Sequence, residues 1–264
     1  MKIGILQFSP VFGEKDKNLA TIRTLLEGID TDLVVLPELA LTGYFFKTKE
    51  EVKDLAENIK FGPSIEKLKA IAKKEDVHIV TGFLEESGGK FYNSAVFIYP
   101  QGNLEIYRKV HLFSEEKLFF EPGDLRFPVY NIGTFKIGMM VCFDWIFPEA
   151  ARSLALNGAD IIAHPANLVL PFCQDAMITR SIENRIFTVT ANRSGKDVRG
   201  EEILTFTGKS QVVSPEGKRI LTFSEDEEGV KVVDVDPHKA RDKNITKYNN
   251  IFEDRRPDLY NIDD

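Results

Sequence analysis

The chain has 264 residues, enough to bury the core of one large α/β domain. Its 34 Lys and Arg against 41 Asp and Glu leave a net charge of −7, which removes the electrostatic case for nucleic acid or an anionic membrane as partner. Two cysteines exclude a disulfide framework and point to a reducing, cytoplasmic compartment, and no apolar stretch is long enough to span a bilayer. Abundant Lys and Glu with scarce Gln is the surface composition of a heat-adapted protein.

The N-terminal KIGILQF reads as a first strand, not a signal peptide, because its apolar run is short and Pro10 follows closely. EKDKNLATIRTLLEGI is predicted helical, with Leu19, Ile22, Leu25, Leu26 and Ile29 at helical spacing. DLVVLPE is a second strand, ended by Pro37. EEVKDLAENI and SIEKLKAIAKKE are predicted helices, the second capped by Ser64. VHIVTGF is a strand, and KFYNSAVFIY and LEIYRKV flank PQGN as a hairpin. FKIGMMVC is a strand that ends at Cys142, where a helix led by Pro148 is about to begin and runs to the Asn157-Gly158 stop. ADIIAHPAN is a strand and loop, QDAMITRSIENR a helix and IFTVTANR a strand. GKSQVVSP, KRILTF and GVKVVDVD follow as an all-β run, and NNIFEDRRPDLY reads as a tail laid over a surface. Strands alternating with crossover helices, plus hairpins, predict an α/β fold of two facing sheets with helices outside, in a single domain over 1–264.

Sites in such folds lie beyond the C-terminal ends of strands. Three polar residues are stranded at such ends: Glu38 after DLVVLP, Lys109 closing LEIYRKV and Cys142 closing FKIGMMV. A thiol with a pKa of ~8.5 is only a few per cent ionised at neutral pH and needs a base or a cation nearby. Glu38 is placed to take the proton, and Lys109 to stabilise negative charge on a carbonyl or imidate oxygen. The start of the next helix would add N–H groups near Cys142. Together these residues form a plan for cleaving a carbon–nitrogen bond through a thioester.

With those segments in view, the chain resembles the nitrilase superfamily of carbon–nitrogen hydrolases, whose members carry a Glu–Lys–Cys triad. VVLPELALTGY resembles the segment of the family's Glu, YRKVHLF that of its Lys and VCFDWIFPE that of its nucleophile, which fall on Glu38, Lys109 and Cys142. EKLFFEPGD resembles the segment bearing a second glutamate that positions the triad, here Glu116. FYNSAVF, GADIIAHPAN, RSIENRIFTVTANR and DRRPDLY follow the family's order, so the resemblance covers essentially the whole chain. It implies a four-layer α–β–β–α sandwich, no metal or organic cofactor, and a homodimer or larger homo-oligomer, with the tail from about 245 to 264 packed on a partner subunit. Phe143, Tyr44, Phe45, Phe113, Trp145 and Asn167 are the candidates for the oxyanion and substrate pocket, partly by family position. Cys173 in LPFCQDA has no such company and reads as structural.

Other readings account for less. A Cys142–His111 dyad lacks an evident Asn or Asp to orient the imidazole and leaves Glu38 unexplained, so His111 is expected in the pocket wall or a structural hydrogen bond. TGKS at 207–210 lacks the upstream Gly of a P-loop, since position 203 is Ile203. His78, His111, His164 and His238 have no paired spacing for a metal. A catalytically inactive scaffold on the same fold would have lost part of the constellation. Among substrates, Phe143-Asp144-Trp145 departs from the Trp-Glu that usually follows the nucleophile of nitrilases proper and lies nearer the amidase branches. N-carbamoyl amino acid hydrolases generally place an Arg to clamp the substrate carboxylate, and none stands in the turn after Cys142; Arg152 lies on the helix. The expected substrate is a small aliphatic amide, with a nitrile and then an N-carbamoyl compound as alternatives.

Overall fold

The computed structural model describes residues 1–260. Its strands are β1 (Lys2–Gln7), β2 (Leu33–Val35), β3 (Glu57–Asn58), β4 (His78–Ser87), β5 (Lys90–Ile98), β6 (Leu104–Arg108), β7 (Val129–Ile132), β8 (Phe135–Met139) and β9 (Ile161–Ala166). The remaining strands are β10 (Phe187–Asn192), β11 (Lys196–Arg199), β12 (Glu202–Thr205), β13 (Gln211–Val213), β14 (Arg219–Thr222), β15 (Gly229–Asp234), β16 (Asn244–Thr246) and β17 (Asn249–Asn250). The helices are α1 (Lys15–Leu26), α2 (Lys49–Leu55), α3 (Pro63–Glu75), α4 (Glu116–Phe119), α5 (Pro148–Leu156) and α6 (Cys173–Asn184).

One sheet has the order β15-β1-β2-β4-β5-β6, with β3 on β4; the other runs β14-β13-β10-β9-β8-β7. Alternation along the strands assigns each side chain to a layer. Ile3, Ile5, Leu33, Val35 and Val80 join Ile137, Met139, Ile161, Ala163 and Val189 of the other sheet in one core. Their neighbours Leu6, Val34 and Ile79 face the opposite way, onto Leu19, Ile22 and Leu26 of α1 and Ile65, Leu68 and Ile71 of α3. Leu154 of α5 and Met177 of α6 cover the second sheet. The result is the expected four-layer sandwich.

Strand direction places the site. β1, β2 and β4 are parallel, and two antiparallel steps through β5 make β6 run with β2. β8, β9 and β10 are likewise parallel. The segments after β2, β6 and β8 therefore carry Glu38, Lys109 and Cys142 from the C-terminal ends of their strands.

Several expected boundaries differ. The helix over EEVKDLAENI stops at Leu55, because Glu57–Asn58 pairs with Glu85–Glu86 as a short parallel strand. Ser64 is not the N-cap of α3. Gly62 holds that position, and Glu57 accepts from the backbone N–H and hydroxyl of Ser64, at 2.9 and 2.7 Å. The C-terminal all-β run divides: β13 and β14 extend the second sheet, whereas β15 crosses to pair antiparallel with β1. TGKS is structural, with the Gly208 carbonyl accepting from Asn192 and Gln174. The hairpin β11–β12 was not legible as strands. The tail forms a small β16–β17 hairpin and a 3₁₀ turn at Pro257–Leu259; residues 261–264 of the expected partner-binding segment lie outside the described residues.

Candidate active site

Each of the three site segments bends through a residue in the left-handed region. Leu39 has φ 46°, Ser114 φ 50° and Cys142 φ 42°. Such conformations cost a non-glycine residue on the order of 1 kcal/mol and concentrate where a side chain must be presented off a strand end. Two glycines make room. A Cβ on Gly82 would lie 2.2 Å from the Leu39 nitrogen and 2.3 Å from Glu38 Cα, and one on Gly123 would lie 2.1 Å from the Arg108 carbonyl oxygen.

Glu38, Lys109 and Glu116 meet in a buried cluster. Lys109 Nζ donates to Glu38 Oε1 and to Glu116 Oε1, both at 2.8 Å, and both Glu38 and Lys109 are fully buried. Glu116 Oε2 accepts the Phe113 N–H at 3.0 Å. Burial disfavours the Lys109 ammonium, yet Glu116, Glu38 and the Cys142 thiol hold its pKa well above the usual lysine range. Burial and the charge of Glu38 push Glu116 above the ordinary carboxylate range against the pull of Lys109. Tyr44 is pushed far up by burial and by its neighbours Glu116, Glu38 and Cys142.

Cys142 is 5% exposed and opens a 3₁₀ turn, Cys142–Ile146. This corrects the expectation that the start of the Pro148-led helix lends its N–H groups to Cys142: the 3₁₀ turn lies between them, and α5 begins only at Pro148. Burial raises the thiol pKa well above its ordinary value, Glu38 and Glu116 add to the rise, and Lys109 and the Asn167 backbone N–H oppose it. The resting thiol is therefore protonated, and a base is needed to ionise it. Glu38 supplies an acceptor, since its Oε2 is buried without a partner among the described residues.

Two braces hold the turn. Asp144 accepts from the Val141 N–H at 2.9 Å, from the Tyr107 hydroxyl at 2.8 Å and from His111 Nδ1 at 2.8 Å. It thereby ties the nucleophile turn to the strand end that carries Lys109. Asp144 is also the orienter that the sequence did not reveal for His111. The imidazole stacks on Phe147 with centroids 3.6 Å apart, and no hydrogen bond joins it to Cys142 among the described residues, which fits a structural residue. From the other side, His164 Nε2 donates to the Cys142 carbonyl at 2.9 Å, while Nδ1 meets the Thr190 hydroxyl at 3.1 Å. Burial lowers the His164 pKa to about 4, so the ring is neutral and accepts from Thr190.

The pocket candidates divide between two adjoining cavities. Phe113, Phe143, Trp145 and Asn167 surround Cys142 in a tight one. Tyr44 and Phe45 line a larger one of about 380 Å³ with Phe46, Phe119 and Phe120, and Phe113 and Val169 border both. Among the described residues neither is lined by Lys or Arg. Asn167 Nδ2 donates to the Glu38 carbonyl at 2.8 Å, leaving its buried Oδ1 without a partner among the described residues. Cys173 is fully enclosed in the core at the start of α6. Among the described residues no group of His, Cys, Asp and Glu is placed to hold a metal ion, and no helix is long and apolar enough to cross a membrane.

Asp144, His164 and Asn93, whose amide touches both carboxylates, were not identified from the sequence. Each has a signal only in hindsight: a polar residue inside or beside an apolar run. That signal does not say which partner the residue meets.

Comparison with known proteins bears on the family and the fold. The model of the carbon–nitrogen hydrolase family matches residues 2–244. A protein of Pyrococcus abyssi named nitrilase is 47% identical over 98% of this chain and 99% of its own. The crystal structure of a carbon–nitrogen hydrolase from Helicobacter pylori superposes with a TM-score of 0.90 at 28% identity, covering 99% of this chain and 97% of that one. An amidase from Nesterenkonia gives 0.77 at 26% identity, covering 92% of each chain.

Proposed function

The chain belongs to the carbon–nitrogen hydrolase family of the nitrilase superfamily, and from that premise we propose that it hydrolyses small aliphatic primary amides to carboxylic acid and ammonia through a Cys142 thioester. In this reading Glu38 takes the thiol proton and the thiolate adds to the amide carbonyl carbon. The Lys109 ammonium stabilises the resulting oxyanion together with the Phe143 N–H. Glu38 returns its proton to the nitrogen as the carbon–nitrogen bond breaks, and ammonia leaves. It then deprotonates a water that attacks the thioester, releasing the acid and restoring the thiol.

The observation that carries the choice of an amide is the acceptor inventory beside the thiol. Glu38 Oε2 and Asn167 Oδ1 are buried oxygens with no hydrogen-bond donor among the described residues. A primary amide brings two N–H groups to satisfy them, whereas a nitrile brings none, and unsatisfied buried acceptors cost about 1–3 kcal/mol each. The absence of Lys and Arg from both cavity linings favours an acyl group without a carboxylate. Nitrile hydrolysis is the second reading, favoured by the name of the 47% identical relative from Pyrococcus abyssi.

The test is kcat/KM for propionamide against propionitrile on one preparation, with mass spectrometry of the trapped acyl-enzyme. The amide is expected to win, with the adduct on Cys142. A tenfold preference for the nitrile, about 1.4 kcal/mol of transition-state stabilisation, reverses the substrate assignment. An adduct on Cys173 overturns the nucleophile.

A further inference from the structure

Glu38 has two chemically equivalent oxygens, but its surroundings treat them differently. Oε1 accepts from Lys109 Nζ at 2.8 Å and from Asn93 Nδ2 at 2.7 Å, while Oε2 has no partner among the described residues. Asn93 Nδ2 also reaches Glu116 Oε1 at 3.4 Å. The orientation of this amide is chemically determined: carboxylates only accept, so the NH₂ must face them. Asn93 lies on β5, is 1% exposed, and its backbone carbonyl accepts the Lys109 N–H at 2.8 Å. One residue thus holds both the main chain of Lys109 and the side chains of the two glutamates.

We propose that Asn93 is a positioning residue for the reaction: its amide, shared by Glu38 and Glu116, occupies Glu38 Oε1 and leaves Oε2 as the oxygen that exchanges protons with the thiol and the leaving nitrogen. This inference rests on the reading of Glu38 as the base. A neutral donor suits the place. Two carboxylates already share one ammonium, and an added cation would stabilise Glu38 as a carboxylate and weaken it as a base, whereas an apolar residue would leave Oε1 held by Lys109 without the second donor that fixes the carboxylate plane. The other polar groups around Glu38 are Lys109, Glu116, Cys142, Tyr44, His164 and the Asn167 amide.

Two variants of similar volume test this. Asn93→Leu removes the donor and is expected to lower kcat on propionamide by about 10²-fold with KM little changed, as for a misaligned reacting group. Asn93→Asp places an acceptor against two carboxylates. It is expected to be poorly active at neutral pH and to recover towards lower pH, because the introduced carboxyl, once protonated, donates to Glu38 in place of the amide. A purely structural role does not move the pH optimum. Wild-type kcat for Asn93→Leu overturns the proposal, as does an Asn93→Asp profile that superimposes on that of the wild type after scaling. If Asn93→Leu does not fold, the Asn93→Asp profile decides alone. Glu38→Gln is measured alongside: if it is inactive while Asn93→Leu is not, this inference falls and the assignment of the base stands. If Glu38→Gln is fully active, the assignment of the base falls first.

Discussion

At the scale of single residues, the site depends on charges kept out of water and paired. Lys109 is buried between two carboxylates, so Lys109→Ala removes both an oxyanion donor and the cation that makes the cluster tolerable. A loss of on the order of 10²–10³-fold in kcat is expected from the donor alone. Glu38→Gln retains shape and loses the base, with an expected loss of about 10²–10⁴-fold. Steady-state kinetics on propionamide reads both, and near-wild-type rates for the pair would falsify the assignment of base and oxyanion donor. His164 makes a separate prediction. Its pKa falls from the ordinary 6.5 to about 4 in the folded protein, chiefly by burial. Between those values the unfolded chain binds a proton that the folded chain refuses, so stability declines as pH falls from 6.5 towards 4, by up to about 3 kcal/mol. Urea unfolding across that window is expected to show a shallower pH dependence for His164→Gln than for the wild type. An unchanged slope would remove His164 from the acid sensitivity.

At the scale of elements, a buried side chain replaces the expected local cap. Glu57 on β3 accepts from Ser64 at the start of α3 and from Lys15 Nζ of α1 at 2.6 Å, so one carboxylate joins two helices to a sheet edge. Glu57→Ala orphans the Ser64 donors under a buried helix start, and a loss of about 1–3 kcal/mol is expected. Chemical denaturation measures it, and a value under about 0.5 kcal/mol, ordinary for a neutral surface change, would show the cap to be dispensable. The same logic explains Ser64. It has the residue type of an N-cap, but Pro63 already occupies the first helical position and Gly62 the cap. Residue type alone does not determine which side of the boundary such a residue takes.

At the scale of the whole molecule, the tail and the outer helices leave large apolar side chains uncovered. Tyr248 is 81% exposed, Leu259 64% and Phe172 60%. Side chains of this kind are the material of protein interfaces, and the expectation of at least a homodimer, with the tail crossing to a partner, follows them. Light scattering at micromolar concentration is expected to give at least twice the chain mass of 29.9 kDa. Truncation after residue 245 is expected to lower that mass or the melting temperature. A monomer mass for the intact protein would refute the expectation.

What the sequence determined by itself was the layer pattern and the three stranded groups. Alternation in KIGILQ and DLVVL assigns each side chain to one face, and a polar residue closing an apolar strand stands out because nothing local satisfies it. Glu38, Lys109 and Cys142 were legible for that reason, and the motif around Glu116 added the second carboxylate. The tertiary structure alone decided which oxygen of Glu38 is free, that Asp144 ties the nucleophile turn to the end of β6, and that His164 and Asn93 reach the site from β9 and β5. These contacts join residues 22 to 55 positions apart. Their partners are set by sheet order and by the two antiparallel steps that turn β6 parallel to β2. Periodicity records which way a side chain faces, but not which strand lies beside it, so such pairings become determinate only when the chain is folded.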